Sequence, residues 1–173
     1  MMSISATRSL FKASSLSRSA GALPNALRGQ TRAIYTPPKL KSTKYTAVAH
    51  AQGQGRNGEV KTDGLKLQLA MPKELGGTGK GSNPEQLFAL GYSACFLGAL
   101  QMVAGQAKQK EKVADAIVKA SVHIGEPEEI GGFGIAVDIK VKGAPEDLVK
   151  AAHEACPYSR ALKLGAIVKV ETD

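Results

Sequence analysis

The segment Asn83-Pro-Glu-Gln-Leu-Phe-Ala-Leu-Gly-Tyr-Ser-Ala-Cys-Phe-Leu-Gly-Ala-Leu100 predicts one long helix at the centre of the fold. Asn83 suits the N-cap, Pro84 the first helical position, and Glu85 the first turn, where an acid meets the positive end of the helix dipole. Apolar residues continue to Val103 on nearly every side of this helix. We therefore expect it to be buried.

Short strands are predicted on both sides of this helix. Residues 45–52, 59–62 and 65–69 indicate a three-stranded antiparallel meander, with turns at Asn57-Gly58 and Asp63-Gly64. After the helix we expect strands at 116–124 and 133–141, an amphipathic helix from Pro145 to about Ala155, a short helical turn, and a closing strand at 166–171. The order βββ-α-ββ-α-β predicts an α+β fold, with antiparallel sheets packed around a long buried central helix.

The first 44 residues differ from the rest in charge. The chain has a net charge of +8, and no acidic residue precedes Glu59. Residues 1–44 hold eight of the 23 basic residues, so residues 45–173 contain fifteen basic and fifteen acidic residues. A basic leader rich in Ser, Ala and Leu is typical of a mitochondrial presequence, with a plastid transit peptide as the alternative. We expect 1–44 to be a presequence and linker, mostly disordered, and 45–173 to be one domain located in the mitochondrial matrix.

This charge distribution limits the partners that the domain can have. The basic excess would suggest nucleic-acid binding, but it lies in a segment that we expect to be removed. The remaining domain shows no basic stripe with interleaved aromatic residues. We also expect no membrane span, because no segment reaches about 20 consecutive apolar residues. The sequence therefore predicts neither a nucleic-acid nor a membrane partner.

The chain contains two cysteines, Cys95 and Cys156. One intramolecular disulfide is possible, and a reducing compartment favours a redox couple over a permanent structural bond. Cys95 lies within the central helix, with Gly91 and Gly98 on the same face, which suggests close approach of another backbone or of a substrate. The alternative is an inert core cysteine. Cys156 fits the N-cap of a helix that starts at Pro157, although it could also be only a helix stop.

Reactivity of Cys95 requires a nearby cation. In the middle of an apolar helix the pKa of a thiol rises, and Cys95 gains nothing from a helix terminus. Within the domain the arginines are Arg56 and Arg160. Arg56 lies in the Gly-flanked turn Gly55-Arg-Asn-Gly58, where it could instead be a solvated hairpin residue.

At this point the residues resemble a known family. The segment 83–100, together with Tyr45-Thr-Ala, Gly55-Arg-Asn-Gly58, Pro72-Lys-Glu-Leu-Gly-Gly77 and Cys156-Pro-Tyr-Ser-Arg-Ala161, closely resembles the organic hydroperoxide resistance proteins, in the superfamily of osmotically inducible protein C. The likeness covers nearly all of 45–173. Phe96-Leu-Gly-Ala after the cysteine is more similar to the organic-hydroperoxide branch than to its sister branch.

The resemblance implies a thiol peroxidase. Cys95 matches the peroxidatic cysteine, which becomes a sulfenic acid, and Cys156 matches the resolving cysteine, which forms a disulfide with it. Arg56 matches the arginine that stabilises the thiolate, and Glu85 the carboxylate that holds this arginine. The resemblance also implies an intertwined homodimer with active sites at the subunit interface. Dihydrolipoamide, carried by lipoylated proteins, would be the reductant, and no metal or flavin would be bound.

Other residues carry weaker signals. On a straight helix Glu85 lies about 15 Å along the axis from Cys95, so an arginine touching both requires a bent first turn or a second subunit. Glu85 could otherwise be only a partner of the helix dipole. The Gly76-Gly-Thr-Gly-Lys-Gly81 loop lacks the Lys-Ser/Thr ending of a phosphate-binding loop, and His50, His123 and His153 have no metal-ligand spacing.

An organic hydroperoxide would need an apolar pocket with one cation at the thiol. The candidates for lining it, which could equally belong to the core, are Phe96, Leu87, Phe88, Met102 and Phe133. Two other functions stay open: a peroxidase of the sister branch with broader peroxide use, and a redox sensor that is oxidised without turnover.

Overall fold

The computed structural model describes residues 36–172, which form three short strands, a long helix, a two-stranded hairpin and two further helices. The first sheet contains β1 (His50–Gln52), β2 (Glu59–Thr62) and β3 (Leu65–Gln68), paired antiparallel in the order β1-β2-β3. The predicted meander is therefore confirmed. Gly64, with φ of +74°, closes the tight turn between β2 and β3.

Strand β1 is shorter than the predicted 45–52. His50 pairs with Lys61, one residue before β2 ends at Thr62. Residues before His50 therefore run past the end of their partner strand and find no further backbone to pair with. The Val48 carbonyl instead accepts a hydrogen bond from the Thr62 hydroxyl at 2.7 Å.

Helix α1 (Pro84–Gln106) begins where the sequence predicts. The Asn83 side chain accepts a hydrogen bond from the Gln86 N–H at 2.9 Å, and the Gln86 side chain accepts one from the Asn83 N–H at 3.0 Å. This reciprocal capping box satisfies two of the backbone donors that a helix start leaves free. The helix continues without interruption for 23 residues.

Only part of α1 is buried, in contrast to the prediction. Its buried residues are Tyr92, Phe96, Ala99, Leu100, Val103 and Ala104. Leu90 and Met102 are 66% and 48% exposed. The apolar residues surround the helix, but its neighbours within one chain cover only one side, which leaves an apolar face without a partner.

The expectation that no segment could span a membrane is also wrong on length and composition. Pro84–Gln106 is long and apolar enough to do so, and 28% of its most apolar window is buried. The core helix of a soluble protein meets the same criterion. The buried face of α1 belongs to the hydrophobic core of the domain.

The core lies between α1, a β-hairpin and a second helix. Strands β4 (Ile117–Gly125) and β5 (Gly134–Lys142) pair antiparallel over nine residues each, within one or two residues of the predicted ranges. The partly buried side chains of this hairpin pack on the core cluster, together with Leu148 and Ala152 from α2 (Glu146–Ala155). Helix α3 (Pro157–Leu164) follows directly and is longer than the single turn predicted.

The predicted closing strand at 166–171 is wrong for this chain. These residues have no regular secondary structure, and Val168 and Val170 are 78% and 89% exposed. An alternating apolar segment forms a strand only when a neighbouring strand satisfies its backbone groups. The described chain presents no such neighbour to this segment.

Most of the leader predicted at 1–44 lies outside the described residues. Residues 36–44 have no helix or strand and are mostly exposed. Its role as a presequence stays a prediction.

Candidate active site

The fold brings the two cysteines into contact. Cys156 Sγ lies 3.7 Å from Cys95 Sγ, although 61 positions separate them in the chain. Both are free thiols; Cys95 is half-buried and Cys156 is fully buried. Sulfur atoms in a disulfide are about 2.05 Å apart, so the two side chains need only a small movement to form that bond.

Cys156 occupies the bend between two helices. It is the C-cap of α2, with its N–H donating to the Ala152 carbonyl, and the N-cap of α3, with Pro157 at the first helical position. Its extended backbone, at φ −66° and ψ 124°, ends one helix and starts the other. The predicted N-cap position is confirmed.

The surroundings of Cys95 act on its thiol in opposite directions. Burial has the largest effect and raises the pKa of Cys95, while a backbone hydrogen bond from Tyr158 lowers it and the Cys156 thiol raises it. The net pKa lies above that of an ordinary thiol. Because Tyr158 lies in the first turn of α3, the start of that helix offsets part of the rise in pKa, which the sequence did not indicate.

A second pair of site candidates, Arg56 and Glu85, meets at the N-terminal end of α1. Arg56 lies on a 3-10 turn (Gly55–Asn57), and its guanidinium forms an ion pair with the Glu85 carboxylate in the first turn of α1. The Arg56 and Glu85 side chains are 36% and 15% exposed. Arg56 Nε is buried and has no hydrogen-bond partner among residues 36–172. This ion pair therefore retains an unused donor.

The loop before α1 holds the Arg56 turn in place. The Asn57 side chain accepts a hydrogen bond from the Met71 N–H at 2.9 Å, and Gln68 Nε2 donates to the Gly58 carbonyl at 2.7 Å. A Cβ atom at Gly58 would lie 2.2 Å from the Gln52 carbonyl oxygen, so this position has room only for glycine. Sequence reasoning did not identify Gln68 or Met71, since nothing in the pattern links them to Arg56.

The structure does not join the two pairs within one chain. Glu85 and Cys95 lie ten residues apart on the uninterrupted helix α1, which corresponds to about 15 Å along its axis. The first turn is regular and is closed by the capping box, so the bent first turn considered above is absent. Arg56 contacts Glu85, and Cys95 contacts Cys156, but the two pairs do not meet within one chain.

The five candidates for the substrate pocket lie in different places. Phe96 is a core residue with 1% exposure, and Phe88 stacks on Tyr158 with ring centroids 5.9 Å apart. Leu87 lines a groove of about 370 Å³ between α1 and the meander. Met102 lines another cavity, of about 770 Å³, and Phe133 is 71% exposed just before β5. Phe88 thus contacts Tyr158, two residues after Cys156, and Phe96 belongs to the same buried cluster as Cys156.

The remaining motifs lie outside both pairs. The glycine-rich loop folds back on itself, with the Gly79 N–H donating to the Met71 carbonyl at 3.0 Å. His123 pairs with Asp138 across the β4–β5 hairpin at 3.1 Å. Within residues 36–172, no group of three or more His, Cys, Asp or Glu side chains could hold a metal ion.

Two free thiols in contact, one of them on the partly buried helix α1, are the arrangement that dithiol redox chemistry needs. Comparisons with known proteins identify the family. The model of the OsmC-like protein family matches residues 77–171, and several relatives are organic hydroperoxide resistance proteins. The chain belongs to this family, within the OsmC/Ohr superfamily, as its sequence predicted.

The relatives and the solved structures match similar shares of this chain. The organic hydroperoxide resistance protein of Xanthomonas axonopodis pv. citri is 46% identical over 128 residues, which is 69% of this chain and 87% of that protein. A crystal structure of the organic hydroperoxide resistance protein OsmC of Legionella pneumophila matches with a TM-score of 0.61 and 45% identity, covering 74% and 96% of the two chains. That of OhrB of Bacillus subtilis has a TM-score of 0.59 at 40% identity, covering 73% and 97%. The α+β fold around a long central helix is that of these proteins.

Proposed function

We propose that this protein is a thiol peroxidase that reduces organic hydroperoxides to alcohols. The Cys95 thiolate attacks the terminal peroxide oxygen, the O–O bond breaks, and the alcohol leaves after taking up a proton. The resulting sulfenic acid condenses with the Cys156 thiol, releasing water and forming the Cys95–Cys156 disulfide. The two thiols supply both electrons, so the cycle requires no metal or flavin.

The Sγ–Sγ distance of 3.7 Å carries this proposal. A resolving thiol must reach the sulfenic acid before a second peroxide molecule oxidises it further. Cys156 is fully buried and Cys95 is half-buried. A peroxide can therefore reach Cys95, whereas Cys156 is shielded from it.

The thiolate of Cys95 requires a cation, and no cation of residues 36–172 acts on the pKa of this thiol. We propose that Arg56 and Glu85 of one subunit complete the site at Cys95 and Cys156 of the other, in a homodimer. The separation of about 15 Å along α1 within one chain supports this arrangement. The Glu85 carboxylate holds the Arg56 guanidinium, which would carry its positive charge to the thiolate of the other subunit.

Apolar surface that no described residue covers also supports a homodimer, in which a second copy of the chain would cover it. A groove of about 370 Å³, lined by Val60, Leu65, Leu67, Leu87 and Leu90 among others, separates the meander from α1. The exposed segment 166–171 alternates apolar residues as strands do but has no strand to pair with. An intertwined homodimer would cover both features, because each subunit would supply the neighbour that the other lacks.

The predicted substrates are alkyl, lipid or aromatic hydroperoxides. The surroundings of the thiols are apolar and aromatic, including Phe88, Tyr92 and Tyr158. Such a wall favours an apolar tail and gives hydrogen peroxide no extra binding. Faster turnover of cumene hydroperoxide than of hydrogen peroxide is expected; equal efficiency would favour the sister branch of broader peroxide use.

The proposed reductant is dihydrolipoamide on a lipoylated protein. Its two thiols return two electrons to the Cys95–Cys156 disulfide by thiol–disulfide exchange. The resemblance suggests this partner, and an assay of turnover with dihydrolipoamide against glutathione and thioredoxin tests it. Location in the mitochondrial matrix is likewise a proposal from the leader, and the relatives compared above are bacterial. Fusion of residues 1–44 to a fluorescent protein tests it directly.

The central experiment compares two cysteine variants. Cys95→Ser should consume no hydroperoxide, whereas Cys156→Ser should reduce one equivalent and then over-oxidise at Cys95, which mass spectrometry detects. A protein that is oxidised once and is not recycled by any of these reductants would be the redox sensor. Normal cycling of Cys156→Ser with dihydrolipoamide would remove Cys156 from the mechanism.

A further inference from the structure

A second contact between α1 and α3 runs beside the cysteine pair. Tyr92 lies three residues before Cys95 on α1, and Ser159 lies three residues after Cys156, on α3. The Tyr92 and Ser159 hydroxyl groups are hydrogen-bonded at 2.8 Å. A spacing of three residues on a helix places side chains on one face, about 4.5 Å apart along the axis. The hydrogen bond and the thiol pair are therefore neighbouring links between the same two segments.

This hydrogen bond is protected from water. Tyr92 is 3% exposed and Ser159 is 2% exposed. Buried hydroxyl groups without a partner are costly, so each fixes the position of the other. Because Cys156 is the N-cap of α3, a bond to Ser159 one turn later constrains the cysteine itself.

Aromatic packing supports the same arrangement. The rings of Tyr158, Phe88 and Tyr92 form a cluster in which each pair of ring centroids is 5.7 to 5.9 Å apart. Gly91 leaves space for it, since a Cβ atom there would lie 3.3 Å from the Tyr158 hydroxyl. These contacts fill the space between α1 and α3, and the Tyr92–Ser159 hydrogen bond adds a directional contact between buried side chains.

We propose that the Tyr92–Ser159 hydrogen bond positions Cys156 against Cys95 and so accelerates closure of the disulfide. Tyr92 and Ser159 are positioning residues, because they act through the helix turns that carry the sulfur atoms. Fixing two reactants in the correct geometry raises their effective concentration. The inference rests on the cysteine pairing of the proposed function, but its test needs no hydroperoxide.

The test uses the reduced full-length chain and one equivalent of 4,4′-dithiodipyridine. The Cys95 thiolate attacks the probe and releases one thiopyridone, leaving a mixed disulfide on Cys95. Cys156 then attacks the Cys95 sulfur, releases the second thiopyridone and forms the protein disulfide. The first phase reports the reactivity of Cys95, and the second reports the position of Cys156. Cys156→Ser should show the first phase alone.

The second phase, closure of the disulfide, should be about fivefold slower in Tyr92→Phe, in Ser159→Ala and in the double variant, as expected for loss of one hydrogen bond. The first phase should be unchanged. The double variant should be no slower than the slower single variant, because both remove the same contact. Having lost both polar groups, it leaves no buried hydroxyl unpaired, so it remains informative if a single variant unfolds.

Ser93→Ala is the matched control. Its hydroxyl donates to the Leu90 carbonyl within α1, away from α3, and its removal should leave both phases unchanged. Closure of the double variant at the wild-type rate, or equal slowing of both phases, would overturn the proposal. A wild-type chain that closes in this way but turns over no hydroperoxide would refute the peroxidase function and leave this inference standing.

Discussion

The Arg56 guanidinium pairs with Glu85 in the first turn of α1, ten residues before Cys95 on the same helix. The ion pair joins the turn between β1 and β2 to the start of α1. It thus holds a cation at one end of a helix whose reactive thiol lies about 15 Å farther along the axis. If this cation serves a thiol, that thiol belongs to another subunit.

Subunit mixing tests this arrangement. Cys95→Ser and Arg56→Ala chains, each inactive or weak alone, are unfolded, mixed in equal amounts and refolded. Random pairing makes half of the dimers mixed, each with one complete site if Arg56 acts across the interface, so about a quarter of wild-type peroxidase activity should return.

Mixing Cys95→Ser with Cys156→Ser is the control for subunit mixing. It should restore nothing, because both cysteines of a site come from one chain, 3.7 Å apart. If Cys95→Ser with Arg56→Ala also restores nothing, Arg56 acts within its own subunit or not at all.

The pH dependence of Cys95 should shift in Arg56→Ala. Burial raises the pKa of the Cys95 thiol, and a neighbouring cation would lower it again. Only the thiolate reacts, so loss of the cation should move the alkylation profile to higher pH. At neutral pH the rate of iodoacetamide alkylation should fall roughly tenfold. Cys156→Ser in both backgrounds restricts the signal to Cys95, and coincident profiles would contradict this prediction.

The two glycines on the Cys95 face of α1 should respond differently to alanine. At Gly98 no atom of the described chain lies within 4 Å of an added Cβ. Gly98→Ala should therefore raise the free energy of unfolding by about 0.5–1 kcal/mol through helix propensity.

Gly91→Ala should raise the free energy of unfolding by less than Gly98→Ala, or lower it, because its Cβ would crowd the Tyr158 ring at 3.3–3.4 Å. It should also slow disulfide closure by displacing that ring. Chemical denaturation of the reduced protein measures the stability of both variants. Equal stabilisation by both substitutions would show that the Tyr158 ring can move aside without any loss of stability.

The core should be most sensitive at the centre of α1. Leu100 has no exposed surface and belongs to the main core cluster. Leu100→Ala should lower the free energy of unfolding by about 2–5 kcal/mol, from lost burial and the remaining cavity. Leu40→Ala, at a position 82% exposed, is the control and should change it by less than about 0.5 kcal/mol. A loss at Leu100 no larger than at Leu40 would contradict the packing described.

Features set by local chemistry were predicted well. Asn83 caps α1, Pro84 takes its first position and Glu85 lies in its first turn, as predicted, within three residues of one another. The Asp63-Gly64 turn needs only one glycine with positive φ. The strand at 166–171 failed because a strand depends on a distant partner, which its own residues do not specify. For the same reason, the extent to which α1 is buried did not follow from its apolar composition.

The sequence by itself determined the order of helices and strands as far as α2, the two candidate cysteines and the family to which they belong, because these depend on local patterns and short motifs. Only the tertiary structure decided that Cys156 meets Cys95, that Tyr158 reaches the thiol from the first turn of α3, and that Tyr92 bonds Ser159. It also separated the Arg56–Glu85 pair from the thiols. Contacts between residues tens of positions apart depend on how helices pack, and packing is a property of the whole chain rather than of any segment.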